Sequence, residues 1–213
     1  MVAREWQGKP ALVVCGALRL LALLQFGFAG CAASPSGCHE GVTRARVEAW
    51  LMRKPDLGVY IGQLDCFLER DAWVEEGKKI PRLEECLVQM VEGESYASNR
   101  AALVAALGDV GTRLSTPTLT RALSNKSEES IVRMHAASSL GCVGDPGALD
   151  VLIQGLEDPD PDVRSVVCVW LGQYSDPRAR AALRTALGDR DITVRKSAAG
   201  AISASRTRRA RVP

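Results

Sequence analysis

Arg133, Arg164 and Arg195 recur at one fixed interval, and each follows a valine: Val132, Val163 and Val194. Other positions keep the same interval. Leu140, Leu171 and Ile202 are in step, as are Gly141 and Gly172, Asp145-Pro146 and Asp176-Pro177, Leu152 and Leu183, Leu156 and Leu187, and Asp158 and Asp189. An upstream copy (Arg100, Leu107, Gly108, Gly111, Leu119, Leu123) precedes its counterparts by a slightly longer step, and the extra length falls in the loop "SNKSEES". A fixed period near thirty commits a chain to stacked supersecondary units, each touching its neighbours.

Each unit reads as two helices. In "PDVRSVVCVWLG" the apolar residues Val163, Val166, Val167, Trp170 and Leu171 recur at three- and four-residue steps, which makes a helical stripe. Acidic residues and proline precede it, where a helix start offers free amide donors and partial positive charge. Gly172 then ends it. "SDPRARAALRTALGD" starts a second helix at Asp-Pro and presents Ala179, Ala182, Leu183, Ala186 and Leu187. Gly108 and Gly111 match Gly141 and Gly144 and are expected to terminate helices in the same way. Aromatic content of 5% suits close helix packing better than a β-sandwich.

The three copies, "VRMHAASSLGCVGDPGALDVLIQGLED", "VRSVVCVWLGQYSDPRARAALRTALGD" and the half-unit "VRKSAAGAI", resemble the short HEAT-like repeats of the phycobilisome-lyase class. The resemblance implies an all-α, right-handed α-solenoid. It also implies that recurrent Asp and Arg residues bridge loops and neighbouring repeats, with Arg133, Asp162, Arg164, Asp191 and Arg195 in that ladder. Second helices line the concave side in such proteins, which brings Arg121, Gln154 and Arg184 to a candidate protein-binding surface. Trp170, with Ser139 and Ala201 as counterparts, is either a contact hot spot or a gap filler between helices, and packing is favoured. The expected organisation is a signal over 1–30, a flexible tether over 31–39, an irregular helical cap or diverged repeat over 40–93, repeats over 94–205 and a basic tail over 206–213. The array ends on a first helix, which leaves an apolar edge.

The first thirty residues place Arg4, Lys9 and Arg19 ahead of the apolar run "LLALLQFGFAG", the order of an export signal. "FAGC" at 28–31 is similar to a bacterial lipobox, with Cys31 as the lipidated residue. The expected address is the cell envelope, membrane-anchored through that lipid, with the outer membrane slightly favoured. The alternative is an uncleaved N-terminal anchor, against which Arg19 counts because it would lie deep in the bilayer. Without residues 1–30 the chain is formally neutral, and the four arginines of "RTRRARVP" offset an acidic remainder. A clustered basic face on the folded part is missing, so no nucleic-acid partner is expected.

Catalytic signatures are scarce. There is no GxSxG elbow, phosphate-binding glycine loop or CxxC pair. Cys38, Cys66, Cys86, Cys142 and Cys168 are odd in number, so they leave at least one thiol unpaired; a Cys66–Cys86 bridge is open to an oxidising compartment. Deoxyhypusine hydroxylase is built on similar repeats and holds two irons with several His-Glu pairs. This chain has one such pair, His39-Glu40, in the tether, and His135 is followed by Ala136. That enzyme is therefore rejected at this level, and no metal or cofactor is expected. The expected function is a non-catalytic protein-interaction scaffold or adaptor with an unidentified protein partner. A lyase-like or enzyme-accessory subunit is the alternative.

Overall fold

The computed structural model describes residues 44–53 and 65–210, with side chains described except at 65–70 and 206–210. The signal, the tether, Cys31, His39 and the side chain of Cys66 lie outside the described residues. What is described belongs to one compact unit, Cys38–Pro213.

Ten α-helices and two short 3-10 turns make up the described residues, with no strand among them. In chain order they are α1 (Arg44–Leu51), α2 (Asp65–Lys78), α3 (Leu83–Gly93), α4 (Ala97–Val110), α5 (Thr116–Ser124), α6 (Ser130–Val143), α7 (Leu149–Gly155), α8 (Pro161–Leu171), α9 (Pro177–Ala186) and α10 (Ile192–Ala210). The first helices α4, α6, α8 and α10 pack in succession, and α5, α7 and α9 join them as second helices. This is an α-solenoid. The helix α10 continues through Ala210, into the segment set apart as a tail.

The repeat positions form the core. Val132, Val163 and Val194 are fully buried, as are Leu119, Leu152 and Leu183. Neither helix of a pair could hide its stripe alone, so stacking is what removes this surface from water. The N-terminal cap closes differently. Trp50 and Trp73 stack with centroids 3.8 Å apart and planes 11° from parallel. Each indole N–H donates to the other residue's carbonyl, Trp50 Nε1 to Trp73 O at 2.9 Å and Trp73 Nε1 to Trp50 O at 3.0 Å. The pair thus buries two large rings and satisfies both donors.

Helix starts follow the Asp-Pro signals. Asp160 accepts from Asp162 N at 2.8 Å, and Asp176 accepts from Arg178 N at 2.7 Å. Asp145-Pro146 opens a 3-10 turn (Pro146–Ala148) before α7 begins. Gly111 and Gly172 are the C-caps of α4 and α8, as expected, but two of the matched glycines do something other than terminate. Gly108 and Gly141 lie inside α4 and α6, and their expected role as stops is corrected. A side chain at Gly108 would overlap Ser139, and one at Gly141 would overlap the Trp170 ring. A Cβ on Gly172 would come within 2.8 Å of the Ala201 Cβ. The contact therefore recurs down the stack, since Ser139, Trp170 and Ala201 share one register. Gly144 is the true stop of α6, at φ +65° with its N–H on Leu140 O at 3.1 Å, a conformation glycine adopts without strain.

Gly141→Val forces the Trp170 ring off the α6 backbone and is expected to cost about 1–3 kcal/mol. Gly200, where an added Cβ would meet nothing within 4 Å, is the control: Gly200→Ala should be neutral or stabilising by up to about 1 kcal/mol. Urea unfolding followed by circular dichroism compares the two, and equal effects would refute the close-packing account.

Candidate functional site

The most organised polar feature is a ladder of arginines. Each sits one turn into a first helix, and Arg100, Arg133 and Arg164 reach two ways, while Arg195 makes only the backward contact among the described residues. One arm goes back to the turn that precedes its own helix: Nη1 donates to Glu94 O from Arg100, to Glu128 O from Arg133, to Asp158 O from Arg164 (2.8 Å) and to Asp189 O from Arg195 (2.8 Å). The other arm goes forward to a carboxylate in the turn after the second helix. Arg133 Nε and Nη2 meet Asp158 at 2.9 and 2.8 Å, and Arg164 meets Asp189 at 2.9 Å through both atoms. Arg100 does the same with Glu128, at 3.0 and 2.5 Å. These fork-to-fork pairs fix geometry as well as charge.

The rungs are buried. Side-chain exposure is 5% and 0% for Arg133 and Asp158, 4% and 13% for Arg164 and Asp189, and 20% and 11% for Arg100 and Glu128. Lys126 adds a second cation to Asp158 at 2.9 Å. Burial pushes the Asp158 carboxyl up, but hydrogen bonds from Arg133, Lys126 and the Asp160 N–H more than offset it, and it titrates below the ordinary range. Asp189 is lowered chiefly by its hydrogen bonds from Arg164. Asp158 and Asp189 also accept the N–H two residues on, at 3.0 and 2.8 Å, so each carboxylate shapes its turn while holding its arginine.

Asp162 and Asp191, expected in the ladder, are corrected to other places. Asp162 stands in the first turn of α8, and Asp191 accepts from Thr193 N at 2.7 Å at the start of α10. Asp158, Asp189, Glu128 and Arg100 are the members that sequence reasoning missed, although the matched pair Asp158 and Asp189 carried the signal. Arg133, Arg164 and Arg195 stand on successive first helices.

The three surface residues are on α5, α7 and α9 and are not joined in one cluster. Arg121 is exposed and pairs with Glu92. Gln154 lines an open cleft of about 390 Å³ with Leu123, Lys126, Val151 and Glu157. Arg184 is exposed. Trp170 is half-buried, with its ring beside Gly141. Burial pushes the Cys168 thiol up to about 12, which keeps it protonated and poorly nucleophilic. Among the described residues no group of three or more His, Cys, Asp or Glu could hold a metal ion. None of the described helices is long and apolar enough to cross a membrane.

Removing one partner of a buried pair leaves an uncompensated charge. Asp158→Ala should therefore cost about 3–5 kcal/mol, and Arg133→Met with Asp158→Leu much less than that. The sign of the pH effect follows from the lowered carboxyls. Their contribution is present above the unfolded pKa of about 3.9 and is lost as pH falls through the lower folded value. Unfolding midpoints measured from pH 7 down to pH 2 should drop below about pH 4 in the wild type, with a shallower fall in the double variant. A double variant as unstable as the single one would refute the ladder's role.

Comparison with known proteins brings in relatives named as enzymes. Proteins named deoxyhypusine hydroxylase share 40% identity over 80 residues (Phaeosphaeria nodorum), 35% over 83 residues (Gallus gallus) and 48% over 58 residues (Neosartorya fischeri). These stretches cover 37%, 39% and 27% of this chain and 24%, 27% and 17% of the relatives, so the chain spans about a quarter of their length or less. They overturn the expectation of a non-catalytic scaffold, the phycobilisome-lyase alternative and the rejection of the hydroxylase at the sequence level. A family model for HEAT repeats matches residues 84–159 and 149–212, the segment that holds the ladder, and the chain belongs to the HEAT-repeat family.

Proposed function

We propose that this chain acts within a protein-modifying hydroxylase of the kind its relatives are named for, with the described repeats holding the protein substrate. The local identity of 35–48% to proteins named deoxyhypusine hydroxylase carries this reading. The exposed faces of α5, α7 and α9, with Arg121, Gln154 and Arg184, are the surface proposed for the substrate protein. The described residues do not fit a metal centre: the carboxylates Glu128, Asp158 and Asp189 are already held by arginines, and no group of three or more His, Cys, Asp or Glu among the described residues could hold an ion. The reacting centre is accordingly assigned to residues outside the described ones or to a second chain.

The test uses the full chain, ferrous iron, oxygen and a protein carrying deoxyhypusine, beside the same protein with unmodified lysine. The expected result is preferential binding of the deoxyhypusine form and the gain of one oxygen atom by mass spectrometry. Arg184→Glu should weaken the binding. A folded sample that neither discriminates the two forms nor transfers oxygen overturns the reading.

The address is a separate proposal. The order of Arg4, Lys9 and Arg19 before the apolar run and "FAGC" supports an export signal with lipid on Cys31, in a bacterial envelope. The fixed period and the "VR…LG…DP" pattern support the phycobilisome-lyase type of short repeat as the finer class of the array. Intact mass and membrane fractionation of the wild type beside Cys31→Ser test the address. A membrane-bound wild type beginning at an acylated Cys31 is expected, and an unprocessed wild type in the soluble fraction overturns it.

A further inference from the structure

The first helices bury one side and leave another open. In α8, Val163, Arg164, Val167, Cys168 and Leu171 are buried. Asp162, Val166, Val169 and Gln173 follow one another at three- and four-residue steps along the opposite side, and none of them is buried. In α6 the same steps give Ile131, His135, Ser138 and Cys142, again without a buried member. Ala102 and Ala105 continue the two middle rows onto α4, and Ser197 and Gly200 continue them onto α10. An added Cβ at Gly200 would meet nothing within 4 Å. This side is a flank of the stack. It stays open on α6 and α8, which have first helices packed on both sides of them, so the stacking of one unit on the next does not cover it.

The flank is chemically unlike the rest of the surface. Charged residues make up 24% of the chain, yet none of these positions holds Lys, Arg or Glu. Asp162 and, on α4, Asp109 stand at the rim. The second helices differ: Arg121 pairs with Glu92, Arg178 pairs with Asp150, and Arg184 is exposed. A charge-poor middle inside a polar rim is the anatomy of a protein interface. Small side chains in the middle rows let another backbone approach, and Val166 and Val169 are the apolar anchors.

Size and charge select the occupant. Helices α4 and α6 are 14 residues long, about 21 Å. Four first helices spaced about 8–10 Å apart make a face of about 700 Å², and a stable interface covers about 800 Å² of each partner. Without Lys or Arg, the flank offers no cation to an anionic lipid headgroup or a nucleic-acid phosphate. Against itself it meets no like charge in its middle rows, whereas the second-helix side would set Arg121 and Arg184 against arginines. A closed pair about a twofold axis is the commonest arrangement of such self-matching surfaces.

We propose that the flank formed by α4, α6, α8 and α10 packs against the same flank of a second copy of this chain, with Val166 and Val169 in the contact. The pairing does not rest on the hydroxylase reading, and it leaves the second-helix surface free.

Sedimentation equilibrium of the full chain tests this. The wild type is expected to be a dimer. Val169→Glu and Ile131→Glu, each of which places a carboxylate on the flank, should weaken it about tenfold or more. Ile131 is 41% exposed, so its substitution leaves the fold intact, and circular dichroism checks both variants. Ala181→Glu, exposed on α9, should leave the dimer unchanged. A wild type that stays monomeric at about 0.1 mM overturns the proposal. So does a dimer that keeps its affinity with Ile131→Glu and Val169→Glu, or one dissolved by Ala181→Glu. A monomer carried by vesicles of uncharged phosphatidylcholine and released by Ile131→Glu overturns it as well, because the flank would then belong to lipid.

Discussion

A guanidinium buried between two turns is the constraint on which the stack depends. Arg133 is almost wholly removed from water, and its charge is tolerable only because a backbone carbonyl and a bidentate carboxylate meet it. The carbonyl lies before the first helix and the carboxylate after the second. Neither partner is in place until both helices are, so the rung ties the closure of a unit to the formation of its pair. A buried ion pair adds little net stability compared with apolar residues of the same volume. Its value here is register: an arginine that slipped one turn would bury its charge without a partner.

The second constraint is distance between first helices. Gly108, Gly141 and Gly172 meet Ser139, Trp170 and Ala201 at one register of the stack. Two of those partners are small and one is the largest side chain available. The Trp170 ring fits because Gly141 opposite it has no side chain, at a register where a serine or alanine otherwise suffices. Its bulk is thus absorbed locally by a glycine already required at that position. The ladder behind this layer keeps its spacing, and the Arg133–Asp158 and Arg164–Asp189 rungs both close at 2.8–2.9 Å.

Helical pairing was legible because it follows from periodicity. Val163, Val167 and Leu171 mark a stripe, and Asp160-Pro161 and Asp176-Pro177 mark helix starts that the structure shows as caps. The ladder was half legible. The recurring arginines stand out, but the partners Asp158 and Asp189 lie far along the chain, across a second helix. Asp162 and Asp191 stand close to Arg164 and Arg195 in sequence and attract the assignment. Proximity along a chain misleads when the contact is made across a hairpin. The glycines misled for a related reason: a glycine near a helix end reads as a stop, and only the neighbouring helix shows that Gly108 and Gly141 are there for close approach. The mutual stack of Trp50 and Trp73 joins two separate helices, and no local pattern announces it.

The ladder also bears on where chemistry can reside. A carboxylate that holds a metal must offer its lone pairs to the ion, and here the arginine fork, with the turn's own N–H and, at Asp158, Lys126, already takes most of the roughly four sites. Glu128, Asp158 and Asp189 occupy the turns that follow the second helices, each closed on an arginine of its own unit. Converting such a turn into a ligand site would require a second acidic residue or a histidine beside the first, or the loss of the arginine. His135 is the lone histidine among the described residues and is followed by Ala136, so the described turns carry the structural member of that set without the chemical one. The stack and a metal centre compete for the same residue type at the same place.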